Sequence, residues 1–406
     1  MTIFARCLAF TLVVFASLPA MADDDDAPYK DTVFGDWGGL RTDWKEHGVD
    51  VNAVYTGQLW SNVSGGAKRG SVYDDNTELT ADIDGEKAFG SPGTHIFLYV
   101  LNNDGGHPNS DAGTVQGVDN LEVGVPTAKL YEAWVEQAFL DGKLKALVGL
   151  RDLNAEFYVT EPAANFMHPA FGEGQEIAQT GRNGPSVFPY TAPALRLKYL
   201  PTEDSYINVA AFNAVAGDPD HPHGTHIEGF SDGALLVGEA GYTPGATDDS
   251  VPNKLAIGVW SYTHDMPDLA GTGGEKQWGV YGLASHECYK DDDGRKVTPF
   301  LRVGYAGSDT VQTDVSFQLG VAAAGWVPGR KEGEFGLGVS QARNSNPFMD
   351  VTAGADRVET AYEFYYRDHI MPGVSLQPDV QYVVNPGTDP TLDNATVLGL
   401  RMEVAF

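Results

Sequence analysis

Residues Lys129–Asn154 read KLYEAWVEQAFLDGKLKALVGLRDLN, and this stretch decides the fold. It predicts two strands joined by Asp141-Gly142, a dipeptide suited to a two-residue hairpin turn because both positions take φ > 0. The turn sets a register with Leu140 opposite Lys143, Val135 opposite Val148, Trp134 opposite Gly149 and Glu132 opposite Arg151. Alternate side chains then point to opposite faces. One face carries Tyr131, Ala133, Val135, Phe139, Leu144, Ala146, Val148 and Leu150, and the other Glu132, Trp134, Glu136, Lys145 and Arg151. A soluble sheet buries such an apolar face and wets the charged one. A transmembrane barrel does the reverse, with the apolar face in lipid and the charged face on a wet lumen. The rest of the chain has to choose between them.

The start of the chain favours export. Arg6, the apolar run Leu8–Leu18 and Ala20-Met21-Ala22 form a secretory signal with an A-x-A cleavage site after Ala22. No later stretch has the roughly 18 consecutive apolar residues of a membrane helix. Cys7 falls in the signal, so the mature chain keeps Cys288 alone and cannot form an internal disulfide. Removing Arg6 takes the net charge from −30 to −31, a surface that repels nucleic acid and is compatible with cations. Abundant glycine and tyrosine suit strands and turns.

Residues 23–48 read as an acidic start, Asp23–Asp26, followed by a short helix in FGDWGGLRTDWKEHG. Asp36 is its expected cap, Leu40 and Trp44 share one side, and Gly48 ends it. From Val49 to Phe406 the period is two. Strands are expected at Val49–Val63, Val72–Asp84, His95–Leu101 and the two arms of the hairpin. Eleven more run from Ala192–Leu200 to Ala395–Phe406, giving about 16, an even number as single-chain bacterial barrels require. Between His95–Leu101 and the hairpin lies a loop rich in Gly, Asn and Asp. Ala155–Tyr190 is long, irregular and rich in Phe and Tyr, so it is expected to fold into the barrel mouth or lumen. The expectation is therefore an all-β, antiparallel outer-membrane barrel in one domain, 49–406, with a short N-terminal helix and a long inward-folded loop.

The last strand places Thr396, Leu398, Leu400, Met402, Val404 and Phe406 on one face, with Arg401 and Glu403 on the other. A terminal aromatic suits the girdle of a barrel. Three segments carry a family resemblance: GDWGGLR at Gly35–Arg41, VGLRDLNAEF at Val148–Phe157, and ETAYEFYYR with PGVSLQPDVQYVVNPG within Glu359–Gly387. Together they resemble the carbohydrate-selective porins of the OprB family. The resemblance implies a sixteen-stranded outer-membrane barrel passing small neutral sugars by diffusion through a narrow channel. It also implies contact with outer-membrane lipid and lipopolysaccharide, and a Phe406 read by the barrel-assembly machinery. Arg151, Asp152 and Asn154 match the family motif at the start of the inward loop, which marks them as constriction residues.

Sugar passage needs hydroxyl partners and aromatic faces, each weak enough to release. The alternation offers Glu132, Trp134, Arg196, Arg302, Glu363 and Arg367 on the inward face, and Arg182 within the long loop. Beside this filter reading stands a plainer one, in which pairs such as Glu132–Arg151 merely stiffen the wall and Trp134 fills a gap. His221, His223 and His226, with Asp218 and Asp220, could bind a transition metal, but prolines and irregular spacing favour a solvated loop. No catalytic or nucleotide motif appears, and no cofactor is expected. The alternatives are a general or cation-preferring porin, a barrel enzyme, or a soluble secreted β-protein. The sequence leaves monomer or homotrimer open.

Overall fold

In the computed structural model, residues 28–227, 229–247, 250–307 and 309–406 are described. The signal peptide and Asp23–Asp26 lie outside them. The strands run in chain order: β1 (Val49–Ser64), β2 (Gly70–Asp84), β3 (Thr94–Gly105), β4 (Thr127–Phe139), β5 (Leu144–Arg151), β6 (Ala192–Thr202), β7 (Ser205–Asn213), β8 (Ala234–Tyr242) and β9 (Lys254–Pro267). There follow β10 (Gly274–Ser285), β11 (Tyr289–Lys290), β12 (Lys296–Ala306), β13 (Thr313–Ala324), β14 (Glu334–Asn344), β15 (Val358–Met371), β16 (Val374–Val384) and β17 (Ala395–Ala405). The two-residue β11 extends the β10–β12 hairpin, and the other 16 strands form the wall. Each pairs antiparallel with its neighbours, and β1 pairs with both β2 and β17, so the sheet closes without a free edge.

The decisive hairpin has the expected register, with Val135 opposite Val148 and Trp134 opposite Gly149. Asp141 and Gly142 take φ of 54° and 84°, as the turn demands. One expectation fails locally. Glu132 pairs with Tyr99 but Leu130 pairs with Val100, so Tyr131 is an extra residue in a bulge. Its side chain is therefore not on the lipid face. It is 3% exposed and donates its hydroxyl to Asp152 Oδ2 at 2.5 Å.

The two faces settle the inside-out question. Leu255, Ile257 and Val259 alternate along β9 at 64%, 63% and 53% exposure. Leu195, Leu197, Leu337, Tyr362, Phe364, Leu398 and Leu400 are similarly exposed, while Gln58, Arg302, Gln318, Glu363 and Gln381 are buried. A soluble protein does not expose so large an apolar belt around a polar interior. The soluble β-protein alternative is therefore set aside. Among the described residues no helix is long and apolar enough to cross a membrane.

The N-terminal segment closes the seam. A turn at Trp37–Gly39 leads into the helix Leu40–Glu46, whose N-cap is Gly39 and not the expected Asp36. Asp36 instead reaches past it, accepting from the Thr42 amide and hydroxyl, both at 2.8 Å. Arg41 lies fully buried below the Tyr29 ring, 3.7 Å from its centroid. Its Nη1 donates to the Phe406 carbonyl at 2.8 Å. Its Nη2 donates to the Val51 carbonyl at 2.9 Å and Asn52 Oδ1 at 2.8 Å. The GDWGGLR stretch thus clasps β1 to the end of β17.

Candidate functional site: the loop-lined lumen

Two loops fold into the barrel. The connections 106–126 and 152–191, here L2 and L3, join β3 to β4 and β5 to β6. L3 leaves the wall at Arg151 and Asp152, where Asp152 Oδ1 caps the next turn by accepting the Asn154 amide at 2.7 Å. It then descends toward the end of the barrel that carries the short turns. There the Glu161 carboxylate accepts from the Ser250 hydroxyl and the Val251 amide of the β8–β9 connection. Asn165 Nδ2 donates to Glu334 at the start of β14 at 2.8 Å. On the way back, the Glu176 amide bonds Ser316 and the Gly181 amide bonds Gln277.

Apolar residues hold L3 against the wall. Phe157, Tyr158 and Ile177 pack among Phe212, Trp260, Tyr262, Tyr281 and Leu283, and Phe166 and Phe171 pack on Phe300 and Tyr365. Gly338 makes room for this, since a Cβ there would lie 2.5 Å from Phe171 and 2.7 Å from Phe166. Tyr158 takes a left-handed φ of 63°, which costs about 1–2 kcal/mol in a non-glycine residue. Four interactions hold it there. Its amide donates to Glu239, its hydroxyl to Glu176, its carbonyl accepts from Arg302, and its ring lies 4.2 Å from that of Tyr281.

L2, expected only as a loop rich in Gly, Asn and Asp, also turns inward. The Val115 and Gln116 amides donate to the Glu359 carboxylate at 2.8 and 2.9 Å. Gln381 bonds the Val118 carbonyl, and Gln58 bonds Asp119. L2 and L3 also meet, with the Asn120 amide on the Met167 carbonyl at 2.9 Å and Asn120 Nδ2 on the Phe166 carbonyl at 3.2 Å.

The sequence-derived residues fall into three groups. In the first, Arg151 Nη1 donates to Glu132 at 2.7 Å and its Nη2 to Glu156 at 3.0 Å. Arg196 donates to the same Glu156 oxygen at 2.9 Å and to Glu136 at 2.5 Å, and Lys145 lies 3.7 Å from Glu136. This chain of alternating charges lines the wall below the start of L3. Trp134 donates to Glu132 and is enclosed, with Phe97 stacked at 5.3 Å on the ring and the Arg151 guanidinium 4.9 Å from it.

The second group carries the loops. Arg302 Nη2 donates to the Tyr158 and Gly172 carbonyls at 2.8 and 2.6 Å. Glu363 accepts the Met167 and His168 amides at 2.6 and 3.1 Å. Arg367 bonds Asn165 at 2.7 Å and Glu403 at 2.8 Å. Asn154 donates to the Gly172 carbonyl at 2.8 Å. The third group is Arg182 alone, exposed at the mouth and paired with Asp220 of the β7–β8 connection at 2.9 Å.

That connection also contains the histidines. His221 Nδ1 lies 2.7 Å from Asp218 Oδ2, which raises the imidazole pKa and lowers that of the carboxyl. The His226 ring nitrogen meets the His223 carbonyl. Among the described residues no group of three or more His, Cys, Asp or Glu is arranged to hold a metal. Thr225 instead bonds both the amide and the carbonyl of Leu130 in β4.

Sequence reasoning gives no site role to Glu156, Asp119 or Arg401. Arg401 lies on the inward face as expected, and it bonds Gln58 at 3.0 Å and Asn120 at 2.5 Å. The signal for it was the same alternation that marked Arg302. Glu156 and Asp119 sit in loops, where no periodicity points.

A closed sixteen-stranded wall, an apolar belt and a charged lumen narrowed by inward loops give the architecture of a porin, and the family match that follows makes it a channel and not an enzyme. Residues 68–406 match the family model for carbohydrate-selective porins of the OprB family, and the chain belongs to that family. It is 25% identical to Porin B of Pseudomonas aeruginosa, over 95% of this chain and 94% of that one. It is 20% identical to the putative porin QuiX of Acinetobacter baylyi, over 97% of each. The solved high-pH structure of Pseudomonas putida OprB superposes with a TM-score of 0.83 at 22% identity, covering 94% of this chain and 99% of that one. The protein is thus an outer-membrane channel of a carbohydrate-selective family.

Proposed function

We propose that small neutral sugars cross through the part of the lumen bounded by β2–β6, and that Arg151, Glu132, Glu156 and Arg196 are the groups they meet. L2 and the middle of L3 anchor on β8–β10, β12–β16 and β1, while on the β4–β7 side L3 is held near its two ends, at Asp152 and Glu156 and at Pro189 and Thr191. The observation that carries the reading is the alternating ion-pair chain Glu132–Arg151–Glu156–Arg196–Glu136. It presents donors and acceptors side by side, and Lys145 beside Glu136 brings its three carboxylates into balance with three cations, which suits hydroxyls better than ions. Arg302, Glu363, Arg367 and Asn154 set the aperture by holding the loops, and Arg182 acts at the mouth. Each barrel carries its own path, whether the chain stands as a monomer or a homotrimer. Phe406, whose ring lies 5.5 Å from Phe34, is the residue we assign to recognition by the assembly machinery.

The test is single-channel conductance in a planar bilayer with a neutral monosaccharide titrated in. Saturable block supports the sugar path. Steady conductance favours the general or cation-preferring alternative. Arg151→Ala removes one charge-assisted donor, worth about 1.5–3 kcal/mol, so sugar block weakens by about ten-fold or more. The barrel still assembles, because Arg151 bonds only wall and loop-base acids. Unchanged block in a folded Arg151→Ala channel would make Arg151 part of the wall and not of the filter.

A further inference from the structure

The inner wall of β3 and β4 carries a run of aromatic rings that meets the ion-pair chain at Trp134. Phe97 and Tyr99 alternate with Leu98 and Val100, which face lipid at 41% and 43% exposure, so both rings face the lumen. The Phe97 and Tyr99 centroids are 6.4 Å apart. Tyr99 meets Tyr131 at 5.0 Å, and Tyr131 meets Phe188 of L3 at 6.2 Å. The bulge at Tyr131 is what brings that ring inward to complete the run. Two members are supports. Tyr131 is 3% exposed and fixed by Asp152, and Trp134 is 8% exposed and lies under Arg151. The other three, Phe97, Tyr99 and Phe188, keep part of their surface open.

From this we propose that Phe97, Tyr99 and Phe188 form an aromatic track past which the ring face of a pyranose slides. The proposal deepens the sugar-path reading and rests on it. A pyranose has rigid C–H faces as well as hydroxyl edges. An aromatic side chain offers an apolar body for the first, while Glu132 and Arg151, beside Trp134, offer partners for the second. Successive partly open rings give several shallow sites in place of one deep one, which is what release requires. Selectivity follows from shape. An open-chain polyol of similar hydroxyl count satisfies the ion-pair chain but lacks a rigid ring face.

The experiment compares block by glucose and by sorbitol in wild-type, Phe97→Leu, Tyr99→Leu and Tyr99→Phe channels. Glucose is expected to block the wild type more tightly than sorbitol. Each leucine variant should weaken glucose block about two- to ten-fold, the range set by one aromatic contact, with sorbitol block and salt conductance nearly unchanged. Tyr99→Phe keeps the ring and should keep the block. Glucose block that survives both leucine substitutions overturns the track, as does equal loss in Tyr99→Phe and Tyr99→Leu, which would assign the effect to the hydroxyl. Absence of sugar block in the wild type fails the sugar-path reading itself, so the two failures are told apart.

Discussion

Glu363→Ala is expected to give a channel of higher and noisier conductance, with a barrel that still forms. Glu363 faces the lumen from β15 and touches no lipid. Its two oxygens accept the Met167 and His168 amides of L3, at 2.6 and 3.1 Å. A hydrogen bond to a charged group contributes about 1.5–3 kcal/mol, so the pair holds the loop by about 3–6 kcal/mol. Truncation also leaves two buried amides without partners at the point where L3 meets L2. Because Asn120 bonds the Phe166 and Met167 carbonyls, loosening L3 loosens L2 as well. The aromatic packing of Phe166 and Phe171 remains, so the loop should fluctuate and not leave the lumen. Single-channel recordings should show a raised mean level with frequent transitions between levels, and sugar block should weaken in parallel. Glu363→Gln keeps one acceptor oxygen and should fall between the two. Wild-type conductance and noise in Glu363→Ala would show that apolar packing alone sets the aperture.

The wall was legible in the sequence, and the use of its inner face was not. Alternation along β15 and β17 placed Leu400 outward and Glu363 and Arg401 inward, because period two is a local property that needs no partner. The turn at Asp141-Gly142 was legible for the same reason. What an inward side chain meets is a different question. Glu363 and Met167 are 196 residues apart, and Glu359 and Gln116 are 243 apart. Nothing local tells whether an inward carboxylate faces a solute or a loop amide. Glu363, Arg302 and Arg367 therefore read like Arg151, yet they hold the middle of L3 through its backbone and Asn165, while Arg151 pairs with two carboxylates, Glu132 of the wall and Glu156 at the base of L3. L2 was missed because its Gly-, Asn- and Asp-rich sequence resembles an outer loop. Its inward fold depends on Glu359, Gln381 and Gln58, from strands at both ends of the chain. The bulge at Tyr131 was hidden too, since it arises from the pairing with β3 and not from the hairpin turn.

Arg41→Ala should have the largest effect on stability and little on permeation. Arg41 is 1% exposed, and its guanidinium joins three places far apart in sequence: the Phe406 carbonyl, the Val51 carbonyl with Asn52 Oδ1, and the ring of Tyr29. Each bond from a charged donor contributes about 1.5–3 kcal/mol, and removing the donor strands acceptors in a buried place, so a loss of about 3 kcal/mol or more is expected. The loss falls on one step. Val51 and Asn52 belong to β1, and Phe406 follows β17, so Arg41 can make all its bonds only after the first and last strands have paired. Its bond to Phe406 therefore stabilises the closed barrel alone, while its bonds to Val51 and Asn52 tie the N-terminal segment to β1. The folded band on an unheated detergent gel should convert to the unfolded one at a clearly lower temperature in Arg41→Ala. Channels that have closed should keep wild-type conductance and sugar block, because the clasp lies at the end with the short turns, away from Arg151 and Glu156. Arg41→Lys retains the charge but has no planar fork to span both strands, so it should recover only part of the lost stability. Full recovery by lysine would mean that charge alone holds the seam, and no loss in alanine would mean that pairing of β1 with β17 suffices without the clasp.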